Sequence, residues 1–367
     1  MSSLLKDIYS PEFYDRLGSV LNNTLDDFSQ EQFIRQILSP EFESMALKQR
    51  MSHSINVIAE YLPGDFEQGA AKICLLIDNL RAAGLTEESF EFMFLPEFIE
   101  THGIEHFQTS VDSFEFITQF TSCEFAVRPF IKHYDQQMLD RMIDWSHHEN
   151  YWVRRLASEG SRPRLPWAMA LPALQQDPAP LLPILENLKE DSHATVRRSV
   201  ANNLNDISKD NPEFVIAFTQ QWLGQSKDTD ALLKHACRSL LKKGEPRVMA
   251  MFGYHSEGLS MDAFKLETPN VEFGQRLEFS FTIRNKRASA ASLRLEYAIY
   301  LLKQNGSLAK KVFKISERVL DARDTIQISK KHHFKPITTR VYYAGKHQLS
   351  IIVNGRESEV IDFNLIL

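Results

Sequence analysis

Hydrophobic positions in the first 256 residues recur every three or four places. Phe66, Ala70, Ile73, Ile77 and Leu80 lay one apolar stripe along a helix, and Gly84 follows as its stop. Pro11, Pro40 and Asp65 open other helical runs, joined by short connections rich in Asn, Asp, Ser and Gly. From about residue 265 the period falls to two. Leu277, Phe279, Phe281 and Ile283 alternate with Glu278, Ser280, Thr282 and Arg284. Leu349, Ile351 and Val353 alternate before the turn pair Asn354-Gly355, and Ile361, Phe363 and Leu365 after it; Asn305-Gly306 is a second such turn. Neither period holds between Gly253 and Met261. The pattern predicts a mainly α body over residues 1–256 and a small all-β sandwich over residues 257–367.

The helical part repeats itself. Tyr151-Trp152-Val153-Arg154-Arg155-Leu156-Ala157-Ser158 lines up with Ala194-Thr195-Val196-Arg197-Arg198-Ser199-Val200-Ala201, 43 residues on. Cys237-Arg238-Ser239-Leu240-Leu241 follows Arg198-Ser199-Val200 at a spacing of 40, and Phe125-Ala126-Val127-Arg128 is a fainter copy 26 residues ahead. A period near 40 is that of a HEAT-like helical-repeat solenoid, whose concave face suits an elongated ligand. At 100° per residue, Val153, Leu156, Ala157 and Gly160 share one side of their helix, with Arg155, Glu159 and Arg162 opposite. In the next repeat Val196, Val200, Leu204 and Ile207 form the stripe, with Arg198, Asn202, Asn205 and Asp206 opposite. Both repeats predict arginine and amides around one outward-facing carboxylate. On a single helix such charges are usually a solvated face; their repetition suggests a phosphate track.

Composition narrows the class. With 25% charged and 11% aromatic residues the chain reads as an ordinary globular protein. Cys74, Cys123 and Cys237 are too scattered for a disulfide framework or a zinc knuckle. No apolar run reaches the roughly 20 residues of a membrane span. The first residues lack a charged-then-apolar signal pattern, so a cytoplasmic protein is expected. The net charge of −6 is uneven: −11 over residues 1–110, −1 over 111–256 and +6 over 257–367. Lys310-Lys311, Lys330-Lys331-His332-His333 and Arg284-Asn285-Lys286-Arg287 form basic clusters expected in loops, suited to a DNA clamp or to solubility alone. There is no P-loop and no dinucleotide fingerprint. The pairs His147-His148 and His332-His333 lack further ligands at metal spacing, so neither metal nor cofactor is expected.

The most informative stretch runs from Ser158 to Trp167. Gly160 and Pro163 stop the helix just after Glu159 and put that carboxylate at a mouth. Trp167 stands in a proline-rich loop, with six prolines between Pro163 and Pro183, as a rigid stacking surface. Trp152 reads instead as core.

Arg154-Arg155-Leu156-Ala157-Ser158-Glu159-Gly160-Ser161-Arg162-Pro163-Arg164-Leu165-Pro166-Trp167 closely resembles the signature of the AlkC-type DNA glycosylases, within the AlkC/AlkD superfamily of HEAT-like alkylation-repair enzymes. So do Ser122-Cys123-Glu124-Phe125-Ala126-Val127-Arg128-Pro129-Phe130, Val196 to Lys209, and His235 to Gly244. The resemblance covers most of residues 5–255, and the C-terminal module resembles the immunoglobulin-like extension of one branch. It implies a monomeric, cofactor-free enzyme on alkylated double-stranded DNA. That enzyme excises 3-methyladenine and 3-methylcytosine, leaves an abasic site, and does so without base flipping. By motif position it implies Glu124, Glu159 and Asp206 as the acids of the cleft, and Trp167, Arg155 and Arg162 beside the lesion. Arg198, Arg238, Lys242 and Lys243 are the further DNA-binding candidates.

The chemistry suits these residues. A base alkylated at a ring nitrogen is cationic and leaves without a general acid, while a carboxylate steadies the oxocarbenium-like sugar and orients water. A non-catalytic HEAT scaffold for DNA or protein, or another HEAT-like enzyme such as a chromophore lyase, stays open. Three acids facing an arginine track, read as unpaired, favour chemistry over a scaffold.

Overall fold

The computed structural model describes residues 4–85, 90–337 and 340–367. The chain forms two compact units. The first runs to Val215 and takes in Trp222–Ala236; the second comprises Ile216–Gln221 and Cys237–Leu367. Among the described residues no helix is long and apolar enough to cross a membrane.

The first unit is helical. Ser10, Ser29 and Asp65 cap the helices Pro11–Asn22, Gln30–Ile37 and Phe66–Ala82, each side chain accepting from the backbone N–H three residues on. The Phe66–Leu80 stripe is buried as expected, and Gly84, at φ +88°, ends that helix. Pro40 opens no helix: only the 3₁₀ turn Phe42–Ser44 follows, because Met45 is already extended, and the next helix is Leu47–Ala59.

The Val-Arg-Arg repeat has a division of labour. The valines, Val153 and Val196, are fully buried in the adjacent helices Tyr151–Gly160 and Ala194–Ile207. The first arginine is a staple. Arg154 donates to the carbonyls of His148 and Glu149 in its own preceding turn, and pairs with Asp191 ahead of the next helix at 2.5 Å. Arg197 repeats this with the carbonyls of Asp191 and Ser192 and the carboxylate of Asp228. The second arginine, Arg155 or Arg198, is left for the other face. The copy at Cys237 differs. The helix Lys227–Ala236 ends there and Arg238–Lys243 begins anew in the second unit, so no continuous repeat helix carries this arginine. The proline-rich stretch is likewise no single loop. Beyond Leu171 it breaks into the helix Pro172–Gln176, a 3₁₀ turn and the helix Leu182–Leu188, with proline in the first turn of each.

Among the described residues the second unit holds nine strands: β1 (Leu259–Leu266), β2 (Asn270–Glu272), β3 (Arg276–Asn285), β4 (Ala291–Leu302), β5 (Leu308–Leu320), β6 (Thr325–His333), β7 (Gly345–Val353), β8 (Arg356–Glu357) and β9 (Ile361–Ile366). One sheet is ordered β1-β3-β6, the other β2-β9-β7-β4-β5 with β8 on β7. Leu277, Phe279, Phe281 and Ile283 of the first meet Leu295, Ile299, Ile351 and Phe363 of the second in one core. Both Asn-Gly turns form where expected, with Gly306 and Gly355 each at φ +79°. Asn354 is buried. Its amide reaches the carbonyls of His255 and Ser292, and its Oδ1 accepts from the Arg294 N–H. Behind it Gly355 touches Gly244 so closely that a Cβ on Gly244 would stand 3.1 Å from the Gly355 oxygen. This ties the helices Arg238–Lys243 and Pro246–Met251 to the strands.

The basic clusters are mostly not loops. Lys310 and Lys311 lie inside β5, and Lys330 to His333 inside β6, because their alternation continues the strands. Lys310 and Lys331 are paired with Glu357 and Glu278, and Arg287 donates to the carbonyls of His255 and Glu257. His332 points inward against Phe313 and Phe334, where burial takes its pKa down to about 4.

Candidate active site

The helix Tyr151–Gly160 ends one residue after Glu159. Gly160 lets that end pack closely: a Cβ there would lie 2.6 Å from a methyl of Val127 on the helix Val127–Tyr134. Beyond Gly160 the chain no longer follows the helical phase, and Arg162 folds back. Its Nη1 donates to Oε1 of Glu159 at 2.5 Å, while Nε and Nη2 both reach Oδ2 of Asp206 at 2.8 Å. The other oxygen of Asp206 accepts from Lys209 at 2.8 Å. Burial opposes the charge of Arg162, but its two carboxylates hold its pKa above the ordinary value.

Glu124 stands in the turn before Val127, beside the fully buried Cys123. Its Oε2 accepts from Ser122 at 2.8 Å and from Arg155 at 2.8 Å, and Arg155 donates in turn to the Ser122 hydroxyl at 3.2 Å. Glu124, Arg155, Glu159, Arg162 and Trp167 all line one cleft of about 490 Å³, with Trp152 in its wall.

Two expectations are overturned. The acids are not outward-facing: Glu159 is 5% exposed and Asp206 1%. The side-by-side packing of the two repeat helices covers them. They are not unpaired either, since arginines meet all three. The pairing is uneven, however. Glu124 is held through Oε2 alone and Glu159 through Oε1 alone, whereas both oxygens of Asp206 are taken. Asp206 is also absent from the cleft lining and stands behind Arg162.

Trp167 is positioned by backbone strain. Leu165-Pro166-Trp167-Ala168 is a turn closed by the Ala168 N–H on the Leu165 carbonyl at 3.3 Å, with proline at its second position and Trp167 at φ +65° in its third. That is a type II arrangement, whose third position normally takes glycine. The indole is thrown outward, 63% exposed. Beneath the loop, fully buried Arg128 donates to the carbonyls of Gly160, Arg162 and Met169 and so grips both ends of the segment. Burial and the charge of Arg162 lower the Arg128 pKa to about 10 against the pull of the three acids.

The remaining candidates lie apart from the cleft lining. Arg198 is exposed on the helix Ala194–Ile207, one turn beyond Thr195, which does line it. Arg198 borders a groove with Arg197, Asp228 and His235. Arg238 is half-buried, and Lys242 and Lys243 are exposed, on the second unit. Sequence reasoning gave no role to Ser122, Arg128 or Lys48. The first two stand inside a quoted motif, but Lys48 is 119 residues from its partner and carries no local signal.

Residues 97–240 match the family described as DNA alkylation repair enzyme, and residues 260–367 match that described as uncharacterised protein YhaZ, C-terminal Ig-like domain. The chain is 37% identical over 362 residues to the uncharacterized protein YhaZ of Bacillus subtilis (strain 168), covering 98% of this chain and 99% of that one. It is also similar in structure to the Pseudomonas fluorescens alkylpurine DNA glycosylase AlkC bound to DNA containing an abasic site analogue. There the TM-score is 0.93 and the identity 32%, over the whole of both chains.

Proposed function

The chain belongs to the DNA alkylation repair enzymes that carry a YhaZ-type C-terminal Ig-like domain, and from that premise we propose that it is a monofunctional DNA glycosylase for cationic N-alkylated bases in duplex DNA. Its substrates in this reading are 3-methyladenine and 3-methylcytosine. The observation that carries it is the pair of glutamates in one cleft, each held by a single oxygen and leaving the other for a ligand.

The bond from the sugar C1′ to the ring nitrogen breaks with its electron pair passing to the base, which leaves neutral because it was cationic. Glu159 steadies the oxocarbenium-like sugar. Glu124 orients the attacking water and takes its proton as the new C1′–O bond forms, an effect of ~10²–10⁴ for such groups. Asp206 works one step back, fixing Arg162 and thereby the Glu159 carboxylate. The carboxylates address the sugar, and the base is not drawn into a pocket. Trp167 stacks beside the lesion, and Arg155 and Arg162 steady both the acids and the flanking backbone.

Arg198 on the first unit, and Arg238, Lys242 and Lys243 on the second, are assigned to phosphates. The stapled pair of repeat helices supports a HEAT-like solenoid over residues 1–256, with an Ig-like clamp over 257–367. The enzyme acts as a monomer without a cofactor.

The test is release of free base from methylated duplex DNA without added metal, beside Glu159→Gln. Release of both bases, cut about a hundredfold or more in the variant, is expected. Salt-sensitive DNA binding with no release would leave a scaffold in place of an enzyme.

A further inference from the structure

The helices before residue 97 lie outside the stretch that matches the repair-enzyme family, yet one of their side chains reaches the Trp167 turn. Lys48, the second residue of the helix Leu47–Ala59, donates from its ammonium to the Trp167 carbonyl. The same Nζ stands 4.5 Å from the centre of the Phe125 ring, a cation–π distance. Phe125 lines the cleft next to Glu124. One charge therefore joins the turn that presents the indole to the wall that presents the glutamate. Glu97 and Glu100, on the helix Pro96–His102, line a pocket of about 200 Å³ together with Lys48 and Phe125, and the ammonium pulls both carboxyls toward their charged forms against their burial.

Trp167 needs such a hold. A non-glycine residue at φ +65° is strained and persists only where its surroundings enforce it. The exposed indole supplies little packing of its own. Arg128 anchors the segment at Arg162 and Met169, on either side of the turn, and leaves the Trp167 peptide to Lys48.

We infer that Lys48 is a positioning residue, holding the strained Trp167 peptide so that the indole stays presented at the cleft. The inference rests on the reading of Trp167 as the residue that stacks beside the lesion. Lys48 itself is exposed, so its removal leaves the core untouched.

The test uses the full chain with Lys48→Met, Lys48→Arg, Trp167→Ala and the Lys48→Met/Trp167→Ala pair. Two signals are read: iodide quenching of tryptophan fluorescence without DNA, and single-turnover base release from methylated duplex DNA. Trp145 and Trp152 are buried and Trp222 is half-buried, so Trp167 dominates the quenchable signal. Lys48→Met is expected to change that signal and to slow release about 10–100-fold, with both restored by Lys48→Arg. In the Trp167→Ala background it is expected to do nothing further. Unchanged quenching in Lys48→Met would overturn the inference. So would a loss of release that persists undiminished without Trp167, since Lys48 would then act on DNA directly. Full activity of Trp167→Ala would sink the stacking reading alone, while the quenching signal still decides whether Lys48 holds the turn.

Discussion

Among the described residues each unit holds a buried arginine–carboxylate cluster, and the two leave their spare oxygens in different places. In the helical unit Arg162 joins Glu159 to Asp206. In the β unit Arg294 joins Glu296, at 2.6 Å, to Glu317, at 2.7 Å, with all three on β4 and β5. Both arginines are less than a tenth exposed. The second oxygen of Glu296 has no partner and is buried on the face of β4 turned away from the sandwich core, as is Nε of Arg294. The second oxygen of Glu159 belongs to a side chain that lines a cleft. The same ion pair thus faces a cleft in one place, where we propose a site, and is closed off in the other. Access to the unused oxygen, rather than burial or pairing, separates them.

The largest effect is expected where the oxygen is reachable. Glu159→Gln should lower single-turnover base release ~10²–10⁴-fold, while urea denaturation stays close to the parent because Arg162 keeps Asp206. An equal fall in stability would mean that Glu159 is structural, like its counterpart. Arg294→Met should do the reverse. Removing the cation strands the buried Glu296 without its partner, at ~3–5 kcal/mol of folding stability, and the folded fraction should release base at the parental rate. A specific loss of release with no loss of stability would erase the distinction.

The staples come next. Arg154 pairs with Asp191, also mostly buried, and closes the turn at His148 and Glu149. Arg154→Met should cost about 1–3 kcal/mol by denaturation, with release by the folded protein unchanged. This variant also marks what the sequence could say. The Val-Arg-Arg repeat was legible as a repeat, and helix and strand periods located most elements, since alternation and stripes are local. The roles of the two arginines were not legible. On a helical wheel Arg154 and Arg155 differ by 100°, but only their partners distant in sequence, Asp191 for Arg154 and Glu124 for Arg155, decide which is the staple and which faces the cleft. Burial of Glu159 and Asp206 was missed for the same reason: the wheel sees one helix, and the cover is a second one 43 residues on. The strained Trp167 turn was half visible, as proline before an aromatic. Lys48, which reaches it from the far end of the chain, was invisible.

The smallest effect concerns a carboxyl that no arginine pairs, in the smaller pocket that shares Phe125 with the cleft. Glu100 is pushed up to about 7 by burial first and by the charge of Glu97 second, against the opposing pull of Lys48. Its protonated form is therefore favoured in the folded state relative to the unfolded chain, where the ordinary value of about 4.3 applies. The folded state binds the extra proton between those values, so this contribution to stability is complete below about pH 4 and is lost as pH rises through 7. Glu100→Gln mimics the neutral form at every pH. It should match the parent near pH 4 and exceed it by about 1–2 kcal/mol at pH 8, after allowance for partial exposure. Urea denaturation at the two pH values reads the difference. Parallel curves would mean that Lys48 already carries the charge of Glu100 without cost. The acids of the cleft and of this pocket would then be sorted by any nearby cation, and the arginines would hold no special place in the comparison.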